Sequence, residues 1–369
     1  MKLLIVASLS NIATANYFIT AFRAAGYELL VCSDIDALGV NIRAKGLIDV
    51  AVLLRQHRFE ADAALFFEGG SMRLLPDTTG VQSCPTLWYA IDTHMDFEKH
   101  VRIGRLFDMT FVAQRQYVEP LKARGLTQVQ WLPLAFAPEL LPGTPPERNI
   151  DIAYVGSDDA TIHPHRSLLL NALRGRFPSH RFGRATPEEM GRIYAAARVV
   201  FNRSVNNDLN MRFFEAMGSG AVLVTDRVVD NGVETLFEEG RHYICYENEE
   251  DLLCKVSDVL QNPDRLLAIS TAAQSLVLSS HTYAHRASDI ATHLARAQIV
   301  AKPSPGDVFV ACLAFGLTAD ALRAAARATE QVGGGRFQSI LGRGAAMWIR
   351  LAAILVKAID DLRRALSKT

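Results

Sequence analysis

The sequence predicts an α/β fold of two doubly wound domains that face each other across a cleft, followed by a helical C-terminal extension. Three observations predict it. Strand-length apolar runs alternate with helical periodicity through the first part of the chain, a proline-rich segment interrupts the pattern, and the same alternation restarts after it. The boundaries this implies are 1–145, 146–300 and 301–369.

Taken in order, "KLLIVAS" reads as a buried strand, and Ile12 to Ala25 carries helical spacing that ends near Gly26. "ELLVCSD" is a second strand, and Leu47 to His57 a second amphipathic helix. "DAALFFEGG", "TLWYAID", "MTFVAQ" and "VQWLPLAF" are further runs of strand length. "PELLPGTPPERN" then places four prolines and a glycine in twelve residues, the clearest linker in the chain. After it come the strand "IDIAYVGS", helices from His165 to Arg176 and Pro187 to Ala197, the strand "VVFNRS" and the segment "DLNMRFFEAMGSG". The strands "AVLVTD" and "HYICY" and a helix from Glu249 to Gln261 complete the second half. Strands alternating with helices at this spacing make parallel sheets, whose ligands bind at the carboxyl ends of the strands. From about Pro303 the composition turns to alanine-rich helices, broken by Gly333–Gly335.

Composition narrows the function. Hydrophobic residues make up 49% of the 369, enough for two full cores. Lys+Arg and Asp+Glu are both 39, so a generic nucleic-acid binder is excluded while a local anion site is not. Cys32, Cys84, Cys245, Cys254 and Cys312 are odd in number and form no C-x-x-C pair, which fits reduced thiols and a cytoplasmic protein. The N-terminal run LLIVA is too short for a signal peptide, and no apolar run reaches the ~18 residues that span a bilayer.

Several segments offer chemistry. "YVGSDD" ends a strand at Gly156 and Ser157, where backbone amides can approach a ligand. "VVFNRS" ends another in Asn202, Arg203 and Ser204. If Met211 starts a helix, Asn210 is its N-cap and Arg212 lies in its first turn, opposing the helix dipole. A diphosphate explains such a cation, because helix N–H groups and the guanidinium converge on it. Glu215, one turn on, is placed either to accept two ribose hydroxyls or simply to pair with Arg212. "AIDTH" sets Asp92 and His94 at a strand's carboxyl end, on one side if the strand continues, as a cleft-facing base requires. Glu68, ending "FFEGG", is the second candidate base. The acidic pairs "SDD" and "IDD" read as solvated, so no metal is expected.

"NMRFFEAMGSGAVLVTD" and "ETLFEEGRHYICYENEEDLLCKVSDVL" resemble the nucleotide-binding half of GT-B glycosyltransferases, most closely the CgeB-like group. That group is related to the large family carrying an "EAMA-x-G-x-P-V" segment. "DIAYVGS…HR", "HTYAHR" and "WYAIDTH…FDMTFVAQ…WLPLAF" resemble it too, so the likeness runs from Lys2 to Arg286. The resemblance implies two Rossmann-like domains, a nucleotide-diphosphate sugar on the second and an acceptor on the first. It implies that Glu215 holds the donor ribose, while Arg212, Gly156, Ser157 and Arg166 serve the diphosphate. Family frequency favours UDP, as substrate with no further cofactor. In one respect the chain departs: where the family often has a second glutamate, eight positions before Glu215, stands Asn207, followed by Asp208. Asp208 is the candidate substitute, and the donor sugar and the stereochemical outcome stay open, as does the acceptor: glycan, lipid-linked, protein or small molecule. A nucleotide-sugar epimerase and a non-catalytic two-domain binding protein are the competing readings.

The tail has helical apolar spacing from Met347 to Leu366, with Arg343, Arg350, Lys357 and Arg364 recurring every seven residues. The expectation is a terminal helix packed on its own domain. The second reading is peripheral contact with the inner face of an anionic membrane, or with a partner.

Overall fold

The protein is described here from a computed structural model, which covers residues 1–69, 74–297, 299 and 303–314. The first domain runs β1 (Lys2–Val6), α1 (Thr14–Ala24), β2 (Glu28–Ser33), β3 (Ile42–Arg43), β4 (Gly46–Asp49), α2 (Val50–Gln56) and β5 (Ala63–Phe67). It continues with β6 (Leu74–Asp77), β7 (Thr86–Ala90), α3 (Phe97–Gly104), β8 (Met109–Val112), α4 (Val118–Ala123) and β9 (Val129–Trp131). Seven of these strands form one sheet in the order β3-β2-β1-β5-β7-β8-β9, and every pair is parallel. Both sheet faces are buried, which is why the strands read as continuous apolar runs rather than alternating ones. Leu3, Ile5, Leu65 and Phe67 face the α1 side, whereas Leu4, Val6, Phe66 and Trp88 face a second cluster on the other.

The linker leads into β10 (Ile150–Val155), α5 (Pro164–Arg176), β11 (His180–Gly183), α6 (Pro187–Ala196), β12 (Ala197–Phe201), α7 (Met211–Gly218) and β13 (Val222–Asp226). Then follow α8 (Val233–Leu236), β14 (Tyr243–Tyr246), α9 (Glu249–Gln261), α10 (Pro263–Ser280) and α11 (Tyr283–Leu294). The second sheet is again all parallel, in the order β11-β10-β12-β13-β14. α11 returns to the first domain. Tyr283 stacks on Tyr17 of α1 with ring centroids 5.1 Å apart, and Phe136, just before the linker, exchanges backbone bonds with His281 and Tyr283. One apolar cluster therefore runs from α1 through Phe136 to Phe213 and Phe214 of α7, joining the two domains. α12 (Pro305–Ala314) packs on the first domain, burying Val308, Ala311 and Cys312 in the Trp88 cluster.

Two expected elements differ. The helix expected from Leu47 begins at Val50, because Gly46–Asp49 pairs with β6 and the Asp49 side chain then caps the Val52 N–H at 2.9 Å. The strand expected through Phe136 ends at Trp131; Pro133 has no N–H for the ladder. Among the described residues no helix is long and apolar enough to cross a membrane. The basic stripe from Arg343 to Arg364 lies outside the described residues.

Candidate active site

The carboxyl ends of β1, β5, β7 and β8 and the start of α7 enclose a cleft of about 510 Å³, lined by Ser8, Glu68, Asp92 and Gln114 from one domain and Asp208 and Asn210 from the other. This is where ligands sit in doubly wound sheets.

On the second-domain side, Arg212 is the organising cation. Its Nε donates to Tyr194 Oη at 3.2 Å, Nη1 to Asn202 Oδ1 at 2.6 Å and Nη2 to the Val155 carbonyl at 2.8 Å. Its guanidinium lies 4.5 Å from the Tyr154 ring centre. Burial opposes its charge, but the oxygens of Tyr194, Tyr154 and Glu215 more than offset burial, so its pKa is raised. A guanidinium has five N–H donors, and these bonds do not use all of them. Arg166, in the first turn of α5, lies 5.7 Å from the same ring and donates to the carbonyls of Ser157 (3.4 Å) and Arg203 (3.1 Å). Its Nε is buried with no partner, and burial together with Arg212 pushes its pKa down. Two guanidinium groups thus share one tyrosine.

Glu215 feels the Arg212 charge but makes no close ion pair with it: among the described residues it enters no salt bridge. Burial pushes its carboxyl up to about 7, with Arg212 only partly opposing the rise. Asn210 stands at the N-cap of α7, yet its side chain makes no capping bond and its Oδ1 is buried without a partner. The first amides of α7 are thus left without a cap from that side chain. Gly156 holds φ +154°, and a Cβ there would collide with Tyr154 Oη and Arg212 Nη2, so glycine is what lets the guanidinium reach β10. The Gly156 N–H itself is spent on the Gly183 carbonyl at 3.0 Å. Arg203 turns away from this group to pair with Asp226 at 2.7 Å, while Asn202, fully buried, binds Thr225, Asn210 and Arg212 together.

Across the cleft, β7 stops at Ala90 and Asp92 to Met95 form a turn, closed by Met95 N–H donating to the Asp92 carbonyl at 2.9 Å. The expected period-two relation between Asp92 and His94 therefore does not hold, although both stay at the strand's carboxyl end. Asp92 is exposed on the cleft wall, yet partial loss of water raises its pKa, with the Glu68 carboxylate adding to it and His94 opposing. Asp208 is likewise raised by burial and feels His94, so the two carboxyls and the imidazole form one electrostatic group spanning the domains. His94 Nδ1 is buried without a partner. Both Glu68 oxygens are engaged: Oε2 accepts the N–H groups of Ile91 (2.5 Å) and Asp92 (2.9 Å), and Oε1 sits 3.1 Å from His100 Nε2. The bonds from His100 and the two amides outweigh burial and lower its pKa. Tyr154, Tyr194, Gln114 and His100 were not indicated by the sequence. Tyr154, two residues before Gly156 in "YVGS", is the one that spacing offered.

Residues 146–292 match a family model described as glycosyl transferase-like. Those residues form a glycosyl transferase-like domain, and the chain has a GT-B fold. No curated protein matches it. Among solved structures, Anabaena HepE (Alr3699) in complex with UDP and glucose is similar with TM-score 0.57 and 13% identity, covering 80% of this chain and 100% of that one. The sucrose-phosphate synthase of Thermosynechococcus elongatus is similar with TM-score 0.56 and 12% identity, covering 80% and 99%. A structure described as a UDP-N-acetylglucosamine 2-epimerase of Listeria monocytogenes gives 0.52 and 12%, covering 80% and 97%. At such identities the likeness is one of fold: two parallel α/β domains with the GT-B cleft between them.

Proposed function

We propose that this glycosyltransferase moves a sugar from a UDP-sugar to an acceptor hydroxyl in the interdomain cleft, and that it belongs to the CgeB-like group. The observation that carries the reading is the α7 N-terminus: amides without a side-chain cap beside two guanidinium groups, Arg166 buried and Arg212 half-buried, with a carboxylate one turn on that forms an ion pair with neither. That combination suits a diphosphate flanked by a ribose. The UDP found in the HepE complex agrees with UDP as the nucleotide.

In the inverting form of the reaction, the acceptor oxygen bonds to the anomeric carbon as its proton passes to Asp92, assisted by His94. The bond from that carbon to the diphosphate breaks, and the departing negative charge is met by the α7 amides, Arg212 and Arg166. Asp208 stands where it can contact the donor sugar. The reading needs no metal, so activity is expected to persist in EDTA. On this reading the protein acts in the cytoplasm, in glycan biosynthesis. Titration with UDP, GDP, ADP and dTDP tests the donor site: UDP should raise the melting temperature most, and failure of all four to bind rejects it. An epimerase consumes its nucleotide sugar without an acceptor, so product that forms only when an acceptor is added excludes that alternative.

A further inference from the structure

The turn that carries Asp92 and His94 has few bonds of its own, yet it is gripped from beneath by a buried polar chain. Glu68 leaves the end of β5 and accepts both the Ile91 and the Asp92 N–H on one oxygen. Its other oxygen meets His100 Nε2 at 3.1 Å, and His100 Nδ1 lies 3.0 Å from Thr93 Oγ1. Thr93 is fully buried and His100 is 2% exposed, against the Trp88 ring. With the imidazole proton on Nε2, every member is satisfied: Thr93 O–H donates to Nδ1, Nε2–H donates to Glu68, and Glu68 accepts from the backbone. The chain closes on itself, since Thr93 sits inside the same turn. From the other domain, Asn206 Nδ2 donates to the His94 carbonyl at 3.3 Å, which ties the turn to the loop that bears Asp208.

We propose that Glu68, His100 and Thr93 are positioning residues that hold the Asp92–His94 turn against the donor domain, and that Glu68 is not itself the base. Protonating a carboxylate that holds two backbone amides and an imidazole N–H would weaken the bonds that fix the turn. The proposal rests on the reading of Asp92 and His94 as the reacting pair, and it makes a distinction that a base would not obey. Glu68→Gln keeps a carbonyl oxygen for the two backbone amides, and its NH2 can donate to His100 in the other tautomer. Glu68→Ala keeps neither.

The test measures transfer kinetics, the UDP-induced shift in melting temperature, and hydrogen exchange at the Ile91 and Asp92 amides in the full chain. Glu68→Gln should retain kcat within about threefold, whereas Glu68→Ala should lose at least tenfold, of the order that misplacing a catalytic group costs. The UDP shift should be unchanged in both, and the two amides should lose protection only in Glu68→Ala. Thr93→Val and Thr93→Ser supply a second pair should Glu68→Ala fail to fold: Val is expected to lower kcat and Ser to restore it. Glu68→Gln as inactive as Glu68→Ala, with amide protection intact, would overturn the proposal and make Glu68 the base. Unchanged exchange in Glu68→Ala would overturn it equally. If the wild type transfers no sugar at all, the exchange measurement still decides whether the brace exists, independently of the reaction.

Discussion

Glu215 is a half-buried acid with no cation in ion-pair contact, and loss of surrounding water pushes its carboxyl up to about 7. Because the folded value is raised, the sign is that of a group whose ionisation costs stability. Its contribution is fully present below the unfolded value, and it is lost as pH rises through about 7. A donor ribose reverses that preference, since an ionised carboxylate accepts two hydroxyls whereas a neutral one must also donate. UDP should therefore bind more tightly to the wild type as pH rises from 6 to 8. Glu215→Gln should lose about 1.5–3 kcal/mol of binding at pH 8 and less at pH 6. Calorimetric titration of both proteins checks this, and their difference removes the nucleotide's own phosphate titration. Parallel pH curves for the two would reject the ribose role. Arg212 gives the complementary result: Arg212→Ala should weaken UDP far more than uridine.

At the level of elements, α7 is where local sequence and long-range packing meet. Its last residue, Gly218, lies against the ring of Phe136, just before the interdomain linker, and a Cβ there would overlap the ring. Gly218→Ala adds helix propensity but forces Phe136 out of the shared core. Stability should fall by about 1–3 kcal/mol, the usual cost of overpacking, and the melting temperature with it; an unchanged or raised melting temperature would show that the segment carrying Phe136 yields. The glycine was visible in "EAMGSG", whereas its reason was not, because Phe136 is distant in sequence. The same divide runs through the fold. α9 was readable to its ends, having Asn248 as a cap bonded to the Asp251 N–H and acids in its first turn. α10, longer than any other described helix, was passed over because few of its residues are fully buried and its apolar face is weakly marked. β6 contains Pro76 and pairs only with β4, so it lacked a strand's usual signature. In the site, Arg212 and Glu215 announced themselves as misplaced charges in an apolar helix. Tyr154, Tyr194 and His100 did not, since an aromatic or imidazole side chain in a core segment looks like packing until the partner arrives from another element.

Across the whole molecule, the two domains are joined by more than the linker. Gln114, 1% exposed at the end of β8, reaches into the second domain. Its Oε1 accepts the Leu209 N–H at 2.9 Å and Asn231 Nδ2 at 2.5 Å, and its Nε2 donates to the Leu209 carbonyl at 3.5 Å. Beside it, Asn207 Nδ2 donates to Gln116 Oε1 at 3.0 Å, and the Gln116 N–H to Asn231 Oδ1 at 3.4 Å. Leu209 lies between Asp208 and Asn210, so this amide lattice sets the position of the cleft residues as well as the closure of the domains. Gln114→Ala leaves a buried backbone N–H, its carbonyl and the Asn231 amide short of partners, at about 1–3 kcal/mol for a group left unpaired. Gln114→Glu, kept neutral by burial, retains a carbonyl acceptor for both donors and an O–H for the Leu209 carbonyl, and it loses that advantage only as rising pH ionises it. Thermal melting should therefore order the proteins as wild type, then Glu, then Ala, and UDP affinity should follow the same order because the loop carrying Asp208 and Asn210 loosens with its anchor. If Gln114→Ala melts with the wild type and binds UDP as well, the apolar cluster through Phe136 and Tyr283 holds the domains by itself, and the lattice contributes nothing to their closure.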